Sequence, residues 1–286
     1  MLLITGGNGQ LGTELSKLLP NAIRTDVDDL DITDRKAVEK FVKSNKIDTI
    51  INCAAYTAVD KAEDNIELAK KINIDGVYNL AQMQTKMIHI STDYVFDGLA
   101  HKPYTTEDKP NPISVYGKTK LRGEESVIFR LFYIYQSLIP AIIIRTAWLY
   151  SPYGNNFVKT MRKLGSEKES INVVSDQIGT PTYAGDLAEA IVKILPQMNS
   201  ENNGIYHFTN MGVCSWYDFA TEIMEQSGLK CVVKPINSEE YPTRAARPYY
   251  SVLDKSKIVK TFGLEIPHWK KSLSKCIKQL DSQKTR

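Results

Sequence analysis

Three side chains in this sequence could together act on a carbonyl group: the hydroxyl of Thr92, the phenol of Tyr116 and the ammonium of Lys120. They lie in STDYVFDG at Ser91–Gly98 and VYGKTK at Val115–Lys120. A free tyrosine has a pKa of about 10 and is a weak acid–base catalyst at neutral pH. A neighbouring ammonium is expected to stabilise the phenolate and lower that value. In a reduction, hydride reaches the carbonyl carbon while Tyr116 supplies a proton to the oxygen. Thr92 is expected to donate a hydrogen bond to the same oxygen, so that both groups hold the developing negative charge. Tyr116 and Lys120 are four apart, which places them on one face of a helix. Of the 15 tyrosines, only Tyr116 has a lysine four residues on.

A hydride must come from a carrier, and the start of the chain offers a place for one. TGGNGQLG at Thr5–Gly12 follows a short apolar run and opens a helical pattern. Its glycines Gly6, Gly9 and Gly12 suit a tight turn, a close backbone approach to a pyrophosphate, and helix–strand packing in that order. The first helical residues, Gln10 and Leu11, bring unpaired N–H groups and a partial positive charge to the phosphates. Asp26 ends the second apolar run, where an acid can bond the adenosine ribose and repel a 2′-phosphate. Arg24 is close enough to offset that repulsion, and Asp31 is placed under the adenine. The coenzyme is therefore read as NADPH or NADH.

These groups need a scaffold that brings strand ends together. Strands are expected at Leu2–Thr5, Ala22–Thr25, Thr49–Cys53, Met87–Ser91 and Ala141–Arg145. Helices are expected between them, at Gln10–Leu19, Arg35–Ser44, Ile66–Thr85 and Val115–Phe129. Such alternation implies parallel strands joined by right-handed crossovers, hence a doubly wound α/β sheet. Runs such as TIINCAA suit strands covered on both faces. Beyond Trp148 the pattern changes: a polar loop at Ser151–Asn156, frequent prolines, and helices at Thr182–Leu195 and Ser215–Ser227. Residues 1–150 read as the nucleotide-binding domain. Residues 151–286 read mainly as a smaller substrate domain, with some segments returning to the sheet.

Composition narrows the class of partner. A net charge of +3 with no basic cluster gives no case for nucleic acid. Cys53, Cys214, Cys231 and Cys276 show no CxxC spacing and read as free thiols of a reducing cytoplasm. The four histidines have no metal-ligand spacing. Val127–Tyr150 is apolar enough to resemble a membrane span, but Arg130, Gln136, Pro140 and Arg145 interrupt the roughly 20 apolar residues a span needs.

With those motifs the chain resembles the extended short-chain dehydrogenase/reductase family. The resemblance covers nearly the whole length, through TGGNGQLG, Asn52–Glu63, STDYVFDG, Val115–Glu124, Arg145–Tyr150, Gly154–Met161, Asp176–Ala184 and Tyr241–Asp254. It implies a Rossmann-type sheet with a C-terminal substrate-binding domain, and catalysis by Thr92, Tyr116 and Lys120. Cofactor contacts are implied at Gly6, Gly9, Gly12, Ala54, Ala55 and Thr57, with Tyr116 and Lys120 against the nicotinamide end. Substrate contacts are implied at Asp93, Tyr94, Trp148, Asn156 and Arg247, the substrate being a dTDP-sugar with a keto group. The Asp93–Tyr94 pair stands where sugar-nucleotide dehydratases of the family carry Asp–Glu, which favours reduction over elimination. An epimerase and a non-catalytic NADP-binding regulatory subunit remain as alternatives. Some relatives pair through glutamates sharing Mg2+. Glu14 matches one such glutamate but Gly185 occupies the other position, so no metal is assigned, and the chain is read as a monomer or homodimer.

Overall fold

The structure is a computed structural model and describes residues 1–134 and 138–284. Six parallel strands form the central sheet: β1 (Leu2–Thr5), β2 (Ile23–Thr25), β3 (Thr49–Asn52), β4 (Lys86–Thr92), β5 (Ala141–Thr146) and a late strand, Gly204–His207. Across the sheet the order is Gly204–His207, β5, β4, β3, β1, β2. The five strands expected from sequence are all present, within two residues at either end. The sixth is not among the strands expected from sequence, although some later segments are expected to return to the sheet. It is short, sits at the edge, and comes from the half of the chain assigned to substrate.

Side chains alternate across the sheet, as the two-residue strand period requires. Ile4, Ile51, Ile88, Ile142 and Ile144 face one apolar layer, with Leu187 and Ile191 of the Ala184–Ile194 helix. Leu3, Ile50, Met87 and Ile143 face the other, with Val38, Val77, Leu80 and Val127. A third cluster, including Phe219, Ile223, Trp269 and Leu273, lies among the C-terminal segments. The chain runs from β1 to β2 on one side and then crosses to β3 on the other. The sheet therefore has a switch point between β1 and β3, and the carboxyl ends there frame a crevice where ligands bind in such folds.

Two expected helices differ in detail. Ile66–Thr85 is broken into an α-turn at Ile66–Lys70, a π-helical stretch at Lys71–Gly76 and an α-segment at Val77–Ala81. The wide stretch carries Asn73, whose fully buried amide bonds both backbone groups of Tyr56 and the Thr119 hydroxyl. Wider turns of this kind turn a side chain where an α-helix would not. The Val115–Phe129 helix matches its expected bounds and continues as a π-helical Arg130–Ile134. Arg130 is fully buried against the Thr85 carbonyl. Phe129, Tyr133 and Leu138 are exposed. Residues 135–137, within the apolar stretch, lie outside the described residues. Among the described residues no helix is long and apolar enough to cross a membrane.

Candidate active site

The glycine turn is built by close packing. Gly6 has φ 64°, and a Cβ there would stand 2.6 Å from the Ala54 nitrogen. Only glycine fits both restrictions. The turn leads into α1 (Gln10–Leu18), whose N-cap, Gly9, offers no side-chain cap. The first N–H groups are thus left toward the crevice, where an anion can satisfy them. Asp26 braces the turn: one oxygen accepts from Asn8 N–H at 2.9 Å and the other from Val27 N–H at 2.9 Å. The Arg24 guanidinium bonds Asn8 Oδ1, and Asp31 is held by Thr33. Beneath the turn, Asn52 bridges Thr5 Oγ1 at 2.7 Å, His89 Nδ1 at 3.0 Å and Ala54 N–H at 3.1 Å.

The Tyr116 helix is fixed at its start. Ser114 caps it by accepting from Gly117 N–H at 3.1 Å, and Glu63 accepts from Val115 N–H at 2.8 Å. A Cβ on Gly117 would lie 2.1 Å from the Tyr94 carbonyl oxygen, so this glycine lets the helix close on the loop after β4. That closure sets the Tyr94 and Tyr116 rings edge to face at 5.4 Å.

A cavity of about 880 Å³ runs from the glycine turn to these rings. Gly6, Gly9, Gln10, Leu11, Gly12, Asp26, Asp31, Ala54, Ala55, Thr57, Thr92, Asp93, Tyr94, Tyr116, Lys120 and Trp148 all line it. Of the eighteen residues that the sequence singles out by role, two lie elsewhere. Asn156 caps the Phe157–Glu167 helix through Lys159 N–H. Its amide also bonds Gln10 Oε1 at 3.0 Å, so it ties the 151–156 loop to α1 while its neighbours Gly154 and Asn155 face the cavity. Arg247 pairs with Asp60 and donates to the Tyr94 hydroxyl at 3.1 Å. It lines a separate hollow of about 310 Å³ with Asp97, Gln177, Ser238 and Tyr241.

Electrostatics correct one expectation, that of a lowered Tyr116 pKa. Burial pushes the Tyr116 phenol above its ordinary value; contact with the Thr92 hydroxyl opposes the rise, and Asp93 and Tyr94 add to it. In the resting site burial, not the Lys120 ammonium, dominates the phenol, and Lys120 spends one of its three N–H groups on the Ile90 carbonyl at 2.7 Å. Its own pKa falls to about 8 through burial, against the support of Glu124. A phenol held high stays protonated at neutral pH, which is the state a proton donor needs. The Thr92 hydroxyl, on the cavity wall, touches both Asp93 Oδ1 at 2.9 Å and the Tyr116 phenol.

Sequence reasoning missed Trp216. Its indole stacks on Trp148 at 3.6 Å and 9°, and both line the cavity as one aromatic wall. Trp148 takes φ 49°, a left-handed conformation that costs a bulky residue energy and recurs at functional sites. Trp216 is the first residue of a helix capped by Ser215 and Asp218, and linear spacing gives no sign that it meets Trp148. Glu14, which matches the magnesium-sharing glutamate of some relatives, is buried, bonded by Lys17 at 3.1 Å and by the Tyr183 hydroxyl at 3.4 Å. A Cβ on Gly185 would press into the Tyr183 ring. Among the described residues no three His, Cys, Asp or Glu side chains gather as metal ligands.

A parallel sheet with a phosphate cradle at its switch point, beside a Thr–Tyr–Lys set, defines a nicotinamide-dependent oxidoreductase of the short-chain dehydrogenase type. Comparison with known proteins narrows the class. Residues 1–282 match the RmlD substrate binding domain, and the chain belongs to that family. It is 47% identical to a dTDP-4-dehydrorhamnose reductase of Clostridium acetobutylicum, with a TM-score of 0.90 over 98% of this chain and 99% of that one. It is 41% identical to a dTDP-4-dehydrorhamnose reductase of Bacillus anthracis solved with NADP, with a TM-score of 0.89 over 97% and 98%. A spore coat polysaccharide biosynthesis protein of Bacillus subtilis is 40% identical over 98% of both chains.

Proposed function

We propose that this chain reduces the C4 ketone of dTDP-4-dehydro-L-rhamnose to give dTDP-L-rhamnose, using NADPH or NADH, in nucleotide-sugar and surface polysaccharide synthesis. The observation that carries the reading is that Thr92, Tyr116 and Lys120 line the same cavity as the glycine turn. The cavity fits the coenzyme: Gly6 and Gly9 leave room for a pyrophosphate, and the open end of α1 supplies N–H donors. When bound, the nicotinamide supplies the hydride for the ketone carbon.

The chain's own residues do the rest. Gly6, Gly9, Gln10, Leu11 and Gly12 hold the phosphates, Asp26 and Arg24 meet the adenosine ribose, and Ala54, Ala55 and Thr57 close the other wall. The Tyr116 hydroxyl gives its proton to the ketone oxygen as negative charge develops there. Lys120 then lies one turn along the same helix face, where a charged ammonium stabilises the phenolate left behind. Thr92 steadies the oxygen, and the Trp148–Trp216 wall packs the apolar face of a 6-deoxysugar. Arg247, through Tyr94, borders the diphosphate end. Residues 1–150 serve the coenzyme and 151–286 mainly the sugar.

The test is loss of reduced-coenzyme absorbance with enzymatically generated dTDP-4-dehydrorhamnose, run separately with NADPH and NADH. Stoichiometric oxidation that depends on the sugar is the expected result. Tyr116→Phe should bind coenzyme normally and lose turnover by at least about 10²-fold; full activity in that variant would rule the mechanism out. Coenzyme that copurifies and is never consumed would indicate an epimerase instead.

A further inference from the structure

Thr92 has one proton to give, and the structure shows two places that want it. Its hydroxyl oxygen accepts from Tyr94 N–H at 3.2 Å and contacts Asp93 Oδ1 at 2.9 Å. It also lies against the Tyr116 phenol. A hydroxyl offers one donor and two acceptor lone pairs. If Asp93 is ionised, the short contact can form only with Thr92 donating, because a carboxylate has no proton. Thr92 then has nothing left to give a ketone oxygen. If Asp93 is protonated, its O–H donates into the second lone pair of Thr92, and the Thr92 proton is released toward the cavity.

Both states are within reach. Asp93 is 3% exposed, and its second oxygen, Oδ2, is buried with no hydrogen-bond partner. An ionised carboxylate with an orphaned oxygen is costly. Burial pushes the carboxyl up to about 7, although Thr92, Ser251 and the Tyr94 backbone all favour the ionised form. The groups around Asp93 come from every neighbouring element. The loop supplies Tyr94, itself pushed up to about 12, with the Arg247–Asp60 pair beyond it. The Val115–Phe129 helix supplies Tyr116, and the C-terminal segment supplies Ser251. Lys120, one turn along that helix, also titrates close to neutrality, at about 8.

We propose that Asp93 is a positioning residue whose carboxyl proton decides whether the Thr92 hydroxyl can donate to the substrate's ketone oxygen. This rests on the reductase reading of the site and adds to it a second acid that touches Thr92 rather than the reacting carbon. It also separates the three groups by task. Tyr116 gives the proton, Lys120 supports what remains, and Asp93 sets the direction of the Thr92 dipole.

The experiment is the pH profile of kcat/KM for the sugar nucleotide, which reports groups before the sugar binds, for the native chain and for Asp93→Asn. An amide cannot ionise, so either of its orientations makes the Thr92 hydrogen bond independent of pH. The native enzyme should lose activity as pH rises through about 7. The loss should reach at least about tenfold, since one oxyanion donor is worth about 10²–10³ in kcat. In Asp93→Asn the fall at about 7 should vanish, leaving only the limb set by Lys120 at about 8. Superimposable profiles would overturn the proposal. A second readout needs no turnover and survives a different substrate. Infrared difference spectra should show one buried carboxylic acid titrating near 7, absent in Asp93→Asn and moved to higher pH in Thr92→Val, where the stabilising donor is gone. A native chain with no such band, or a band unmoved by Thr92→Val, would also overturn it. If the native chain fails to oxidise coenzyme with this sugar, the reductase reading falls while the infrared result still decides whether the Asp93 proton is coupled to the Thr92 hydroxyl.

Discussion

Replacing Glu124 with Gln should weaken both the fold and the site, because one buried ion pair serves both. Glu124 is fully buried on the catalytic helix, four residues after Lys120, and Arg145 is 1% exposed on β5. The guanidinium forms a fork on the carboxylate, with Nε to Oε1 at 2.9 Å and Nη2 to Oε2 at 2.6 Å. It also lies 5.1 Å from the centre of the Phe96 ring. Taking away one partner of a buried pair costs about 3–5 kcal/mol, because the remaining charge stays buried. The amide keeps one hydrogen bond to Arg145, which places Glu124→Gln near about 3 kcal/mol. At about 2–4 °C per kcal/mol for chains of this order of size, melting should fall by about 6–12 °C. Circular dichroism melting and urea titration measure this directly. The second effect is chemical. Glu124 is what supports the Lys120 ammonium against burial. Without it the Lys120 pKa moves further below about 8, the charged fraction at neutral pH falls, and the high-pH limb of kcat shifts to lower pH. Replacing both partners with apolar residues, Glu124→Leu with Arg145→Met, should recover much of the stability and none of the pH behaviour. A Glu124→Gln variant that melts with the native chain and keeps its pH profile would refute the reasoning.

Two further outcomes follow from the cavity walls. Gly6→Ala forces a Cβ to within 2.6 Å of the Ala54 backbone at φ 64°, so coenzyme binding measured by fluorescence titration should weaken by about 5- to 30-fold, from strain of about 1–2 kcal/mol. An unchanged Kd would contradict the packing described for the turn. Trp216→Ala removes the ring that stacks on Trp148 at 3.6 Å, and the lost stacking of about 0.5–1.5 kcal/mol should raise the sugar-nucleotide KM several-fold. The coenzyme Kd should stay the same, and a shift in it of equal size would mean that the indole wall serves the coenzyme.

The sequence by itself determined the parallel sheet, because continuous apolar runs separated by helical patterns leave few other ways to bury both faces. It also determined the glycine turn and the Tyr116–Lys120 spacing, since each is a local matter of four to eight residues. What it left undecided depends on segments far apart in the chain. Trp216 meets Trp148, Gly204–His207 completes the sheet beside β5, and Asn156 and Gln10 join the polar loop to α1. None of these contacts has a periodic signature. Charge states were equally out of reach: proximity along a helix suggested that Lys120 acts on the Tyr116 phenol, yet burial dominates both groups. Desolvation depends on what covers a side chain, and that covering comes from β4, the catalytic helix and the C-terminal segment together. For the same reason the direction of the single Thr92 proton was set only when Asp93 was enclosed beside it.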